Sequence, residues 1–251
     1  MESTLKLECG YDYGKTKIDD IFFTPPYKIM HPFMDGEKME VILMSSSAGM
    51  LKGDSFDLSI RLKEKAKLSF SSQSYEKVLD TGRAGARRSF TGTLQEGTSL
   101  KYIPYPVIPF AKSSLESVNV VHVHEKSTLA YCDIISCGRV GMGEKFMMEK
   151  FHSKTKIYIG DSLDFYDNTY ICPKEIDYEK LGFFGEYSHM SNLYLYTGSD
   201  GQKELFEKIK EYISDVYAGV TLLEKGILVK ILGNSGDDLY KLNRKISNLL
   251  P

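Results

Sequence analysis

Residues 47–78 read SAGMLKGDSFDLSIRLKEKAKLSFSSQSYEKV. A glycine-bracketed turn, Gly49-Met-Leu-Lys-Gly53, leads into Asp54. Phe56, Leu58, Ile60 and Leu62 then alternate with Asp57, Ser59 and Arg61. A period of two is the pattern of a strand with one buried face. A charged turn over 63–67 opens a second strand at 68–71, which runs into Ser-Gln-Ser-Tyr-Glu-Lys at 72–77.

The same layout recurs downstream. Glu64-Lys-Ala-Lys-Leu68, Glu96-Gly-Thr-Ser-Leu100 and Glu125-Lys-Ser-Thr-Leu129 are three copies of one turn, with glutamates 32 and then 29 residues apart. Strands at 56–62, 89–94 and 118–124 precede the turns, and strands at 68–71, 100–103 and 129–135 follow them. Two-strand units repeating at about 30 residues predict a mainly β chain of stacked units, solenoid-like or an open β-sandwich.

Outward from the repeat, 4–9 alternates as a first strand and 39–44 reads as a short buried one. Residues 21–30 carry two adjacent prolines, which suits an edge or an extended apolar arm. Further strands are expected at 146–151, 154–159 and 163–166. The last part changes character. A strand at 192–197 precedes a helix capped by Ser199 or Asp200, with Leu205, Phe206, Ile209, Ile213 and Val216 on its apolar side and Gly219 at its end. Strands at 220–223 and 227–232 flank a Glu-Lys-Gly loop. Asp237 or Asp238 caps a final helix bearing Leu239, Leu242, Ile246 and Leu249. The expected plan is one body over 1–251: a β-stack at 1–190 with a C-terminal β-α-β-β-α elaboration at 191–251.

Composition narrows function more by exclusion than by indication. The net charge of −2 supplies no field for nucleic acid or an anionic membrane. No apolar run approaches the roughly 18 residues of a membrane span. The four cysteines, Cys9, Cys132, Cys137 and Cys172, are scattered and form no CxxC pair, which points to the reducing cytosol, and Cys132 and Cys137, five apart, read as buried small hydrophobes. No HExxH, GxSxG, GxGxxG or P-loop pattern occurs. His122 and His124 share one strand face and form at most two ligands of a metal site. The carboxylates Glu40, Asp54, Glu76, Asp133 and Glu144 sit at turns or among apolar neighbours, where a charge needs a partner or water. They read either as internal ion pairs, with Arg139 a candidate partner for Asp133, or as the lining of a hydrated cation passage. Readings of other classes are a β-solenoid module binding protein or carbohydrate without metal, and a hydrolase built on His and carboxylates.

Six ordered segments add a resemblance. They are Phe22-Phe-Thr-Pro-Pro-Tyr-Lys-Ile-Met30, Ala48-Gly-Met-Leu-Lys-Gly-Asp54, Ser72-Gln-Ser-Tyr-Glu-Lys77, Pro104-Tyr-Pro-Val-Ile-Pro-Phe110, Gly138-Arg-Val-Gly-Met-Gly-Glu-Lys-Phe146 and Tyr166-Asp-Asn-Thr169. Together the set resembles the urease accessory proteins UreD, and the UreH-type members most, through Thr-Pro-Pro early and Tyr-Asp-Asn late. The resemblance implies a non-catalytic, cytoplasmic maturation factor of mainly β fold with two late helices. It implies binding to apo-urease subunits and UreF, to UreG through UreF, and assembly as a dimer of heterocomplexes, without nucleic acid or membrane. It implies no permanent cofactor but transient Ni²⁺ in an internal water-filled tunnel. Glu40, Asp54, Glu76, Asp133 and Glu144 become candidate passage groups, and His122 and His124 remote ones. Residues 22–33 and 102–110 are candidate partner surfaces, with core packing as the other use.

Overall fold

The computed structural model describes residues 1–198 and 200–251. Its repeating unit places one strand in the first of two facing sheets and one or two in the second. β1 (Glu2–Asp12) pairs antiparallel with the edge strand β2 (Lys15–Phe23). The short β3 (Tyr27–Ile29) and β4 (Phe33–Asp35) lie against β5 (Lys38–Ser45). Three coils follow. The first is β6 (Ser55–Leu62), β7 (Lys67–Ser72) and β8 (Glu76–Val78). The second is β9 (Ala86–Leu94), β10 (Ser99–Tyr102) and β11 (Val107–Pro109), and the third is β12 (Ser114–Val123) and β13 (Thr128–Ser136). β14 (Lys150–Ile159) adds a parallel strand to β12, and β15 (Ser162–Ile171) closes that sheet antiparallel.

The first sheet runs β15-β14-β12-β9-β6-β1-β2. The second runs β17-β18-β16-β13-β10-β7-β5-β3, its far end made by β16 (His189–Tyr196), β17 (Ala218–Leu222) and β18 (Ile227–Gly233). Strands β6, β9, β12 and β14 are parallel neighbours, as are β5, β7, β10 and β13. The stacked-unit fold read from the repeat is therefore the fold observed. The C-terminal strands extend the second sheet rather than forming a small sheet of their own.

The three turn copies stack on one another. Lys65 N–H donates to Glu96 O at 3.1 Å, and Ser99 N–H to Ala66 O at 3.0 Å. One coil further on, Thr128 N–H donates to Thr98 O at 2.9 Å and Ser127 Oγ–H to Gln95 O at 2.7 Å. The second turn position is left-handed in the first two copies, with φ 65° at Lys65 and 69° at Gly97. Gly97→Ala therefore loses about 1 kcal/mol from the φ alone, because a side chain there would meet only Lys65 at 3.8 Å. Urea unfolding measures this, and an unchanged midpoint would show the turn to be conformationally tolerant.

Inward side chains of the two sheets form the main core, with Leu7, Phe56, Ile60, Leu68, Phe70, Phe90, Leu100, Val121 and Ile157 buried together. A second core covers the outer face of the second sheet. Ala130, Cys132, Ile134, Leu193 and Val229 pack there against α1 (Gln202–Tyr212) and α2 (Gly236–Ser247). All four cysteines are free and buried. Burial pushes the Cys9 thiol up to about 12, which leaves no thiolate near neutral pH.

Several expected boundaries differ. No strand occupies 146–149: Phe146 has φ 50° and its N–H donates to Cys137 O at 2.7 Å, closing a loop instead. α1 starts after Gly201, whose φ of 84° makes it the N-cap without a side-chain bond; Asp200 does not cap, and Ser199 lies outside the described residues. The helix stops at Tyr212, and Gly219 belongs to β17, because the β-branched run Val220-Thr221 pairs with β18. α2 is capped by Ser235, whose Oγ accepts from Asp238 N–H at 3.2 Å; Asp237 and Asp238 fill its first turn, facing the positive end of the helix.

Candidate functional site

Between the sheets, the interior changes from apolar to polar over two adjacent register rows. Strand pairing places Ile60, Gly92, Val121, Ile157 and Phe165 side by side, an apolar row. The next row holds Leu58, Phe90, Asn119, Thr155 and Asp167, and the one after it Phe56, Arg88, Ser117, Ser153 and Thr169. On the opposite wall Asp133, Asn192 and Lys230 are register neighbours. The row beside them, Phe70, Tyr102, Tyr131 and Tyr194, is aromatic, with Tyr102 stacked on Tyr131 at 5.4 Å and on Phe90 at 4.0 Å. A polar seam thus runs from coil to coil above an aromatic floor.

Arg88 organises the near end of the seam. Its Nη1 donates to Glu76 Oε2 at 2.5 Å, its Nη2 to Asp133 Oδ1 at 3.2 Å, and its Nε to Ser117 Oγ at 3.0 Å. Burial alone would pull the guanidinium down, but Glu76 and Asp133 outweigh it and hold the group above its ordinary value. Ser153 Oγ–H donates to Asp133 Oδ2 at 3.2 Å. Asn119 Nδ2 donates to Thr155 Oγ1 at 3.1 Å and to Ser153 Oγ at 3.3 Å. Beyond Thr155 stands Asp167, which accepts from Thr169 Oγ1–H at 2.6 Å and pairs with Lys230 Nζ at 3.4 Å. Asn192 Oδ1, beside Asp133, is buried without a hydrogen-bond partner.

Each end of the seam meets a cavity. One of about 120 Å³ reaches Glu76 and Arg88 and is bordered by Tyr27, Ser47, Gly49 and Tyr105. The other, of about 650 Å³, reaches Thr169 and Lys230 beneath Tyr178, Phe183 and Tyr217.

Of the carboxylates singled out in the sequence, the fold brings Glu76 and Asp133 together and places the others elsewhere. Glu40 lies on the outer face of the second sheet and pairs with Arg244 at 3.2 Å. Asp54 is buried at the turn before β6, accepting from Leu51 N–H at 2.7 Å and from the Met1 amine at 2.7 Å. Glu144 pairs with Arg139, whose Nε donates to it at 2.8 Å and whose guanidinium holds its carboxyl below the usual range. Arg139 is therefore the partner of Glu144, and Arg88 that of Asp133, because Arg88 faces inward and Arg139 sits in the loop after β13. His122 and His124 are exposed; His122 stacks on Tyr158 at 4.8 Å. Among the described residues no three His, Cys, Asp or Glu side chains form a metal-holding group.

Arg88, Ser117, Asn119, Ser153, Thr155 and Lys230 were not singled out in the sequence, and Asp167 entered only as part of the Tyr166-Asp-Asn-Thr169 segment. The signal was parity. In β12 the apolar Val118 points out, 51% exposed, and the polar Asn119 points in, 2% exposed. The two candidate surfaces divide: Phe22, Phe23 and Phe33 are exposed, whereas Ile103, Val107 and Pro109 are buried and Tyr105 stacks on Tyr240 at 4.0 Å.

The sequence pattern of the family described as UreD urease accessory protein matches residues 1–250. The chain belongs to this family. It is 35% identical to a urease accessory protein UreD of Acetivibrio thermocellus, over 99% of this chain and 97% of the relative. It is 32% identical to a urease accessory protein UreH of Helicobacter hepaticus, over 97% and 95%. A UreD of Flavobacterium johnsoniae is 29% identical over 100% of this chain and 92% of its own length. A role in urease maturation comes with that membership. No described helix is long and apolar enough to cross a membrane.

Proposed function

We propose that the chain is a non-catalytic, cytoplasmic maturation factor that helps load urease with nickel by conducting Ni²⁺ along the seam between its sheets. The observation that carries this reading is the row of buried and partly buried oxygen groups from Glu76 through Asp133, Ser153 and Thr155 to Asp167, with a cavity at each end. Carboxylate, hydroxyl and amide oxygens bind a divalent first-row ion more weakly than imidazole or thiolate, so they let it move on. The unpartnered Asn192 Oδ1 offers one further acceptor beside Asp133. Arg88 occupies both near carboxylates, so a passing ion takes oxygens that the guanidinium gives up. Glu40, Asp54 and Glu144 stand off this route, and His122 and His124 outside it. The ion would come from a UreG-type GTPase through a UreF-type partner and leave toward apo-urease subunits, within a dimer of heterocomplexes. The exposed Phe22, Phe23 and Phe33 are the surface we assign to partner binding.

The test is nickel bound to urease after activation with purified components. Asp133→Asn is expected to lower loading about tenfold while the chain still co-purifies with its partners, and Glu40→Gln to leave loading unchanged. Full loading by Asp133→Asn, or loss of the complex with it, would overturn the route.

A further inference from the structure

The outer face of the second sheet carries a second polar site, away from the seam. Glu40, Ser69 and Lys101 are register neighbours on β5, β7 and β10. They point outward, since Met39, Val41, Leu68, Phe70 and Leu100 fill the alternate, buried positions. The last turn of α2 crosses beside them. The result is a pocket of about 170 Å³ into which Lys38, Lys101 and Arg244 converge, with Ser69 and Asn248 on its wall.

The charges in this pocket do not balance. Some lysines elsewhere on the protein have carboxylates at hand: Lys63 takes Glu8 and Asp19, Lys67 takes Glu37, Lys126 takes Glu96 and Lys150 takes Glu116. Among the described residues Lys38 and Lys101 have no carboxylate within 4.0 Å. Lys101 Nζ reaches only the neutral Asn248 Oδ1, at 3.1 Å. Arg244 shares Glu40 at 3.2 Å, and Asp35 also borders the pocket, so three cations face two carboxylates. Burial, then Lys38 and Arg244, push the Lys101 amine down to about 8. Three cations and a hydroxyl around a small cavity present the donors that a tetrahedral oxyanion accepts, and a bound dianion would cancel the repulsion.

We propose that this pocket binds a phosphate group, as inorganic phosphate or as the terminal phosphate of a nucleotide, held by Lys38, Lys101 and Arg244. It is independent of the nickel route, because none of its cations lies on the seam.

The full chain is titrated with inorganic phosphate by calorimetry and thermal unfolding at fixed ionic strength. Saturable binding is expected, weakened at least tenfold in Lys101→Gln and in Lys38→Gln and retained in Lys101→Arg. Gln keeps a donor for Asn248, so the first variant is expected to fold, and circular dichroism checks that it does. Competition of ATP with phosphate assigns the nucleotide as the source, and its failure to compete assigns the free anion; either supports the site. A rise in stability that never saturates, that chloride reproduces at equal ionic strength, or that persists in both Gln variants overturns it.

Discussion

Arg88→Leu is expected to lower the unfolding free energy by about 3 kcal/mol, the largest loss from any single side chain in the seam. The substitution strands two carboxylates that were neutralised by one guanidinium. The side chains of Arg88, Glu76 and Asp133 are 14%, 26% and 17% exposed, so water reaches them only in part and the penalty falls at the low end of the range for broken buried pairs. Arg88→Lys keeps the charge but has one ammonium where three nitrogens made separate bonds, and it recovers about half the loss. Replacing Glu76, Arg88 and Asp133 together by leucine removes all three charges and restores most of the stability. Urea unfolding followed by far-UV circular dichroism measures each variant. A midpoint for Arg88→Leu within experimental error of the parent would mean that the triad is solvated rather than held.

Gly49→Ala is expected to cost a similar amount, about 3 kcal/mol, for a different reason. Gly49 has φ 153°, and a Cβ on it would stand 2.6 Å from the Lys77 carbonyl oxygen and 3.0 Å from Lys77 Cβ. Backbone is on the other side of the contact, so no rotamer change relieves it. The chain must move, and the bonds from Met50 N–H to Lys77 O at 2.8 Å and from Leu79 N–H to Met50 O at 3.0 Å go with it. Met50 is fully buried, so the displacement exposes core. Gly53→Ala is the control. Its φ is 79° with nothing within 4 Å of a Cβ, and it loses only the left-handed preference, about 1 kcal/mol. Equal midpoints for the two variants would refute the close approach at Gly49. Because Gly49 also borders the cavity at Glu76 and Arg88, the first variant should disturb the near end of the seam as well.

The turns were the legible part of this chain. Their three copies are short, local and chemically alike, and each lies where a parallel coil must reverse. The strands were legible as far as their apolar halves extend. Reading β9 from Ser89 and β12 from Val118 begins each strand just after its first inward polar residue, Arg88 or Ser117. An inward arginine breaks the alternation that reveals a strand, so the residues that make the seam also concealed the strand ends that carry it. Asp133 was visible because it interrupts an apolar run, and its need for a partner followed from charge burial. Which cation meets it depends on strand register across 45 residues, from Arg88 to Asp133, and no local pattern contains that. Glu40 beside a short apolar strand, and Asp54 and Glu144 beside glycines, looked equally in need of partners, and the fold gives each a separate ion pair. The helix caps were misplaced because Gly201 and Ser235 compete with nearby acidic residues that look equally suitable in isolation.

The parallel stacking of β9, β12, β14 and the antiparallel addition of β15 has a metric consequence. Neighbouring strands are spaced about 4.8 Å apart, so Arg88, Ser117, Ser153 and Thr169 mark three equal steps and a span of about 14 Å. The distance between the two cavities is therefore counted in rungs. Inserting one further coil of about 30 residues would lengthen the ladder by a single rung and leave every existing rung's cross-section alone.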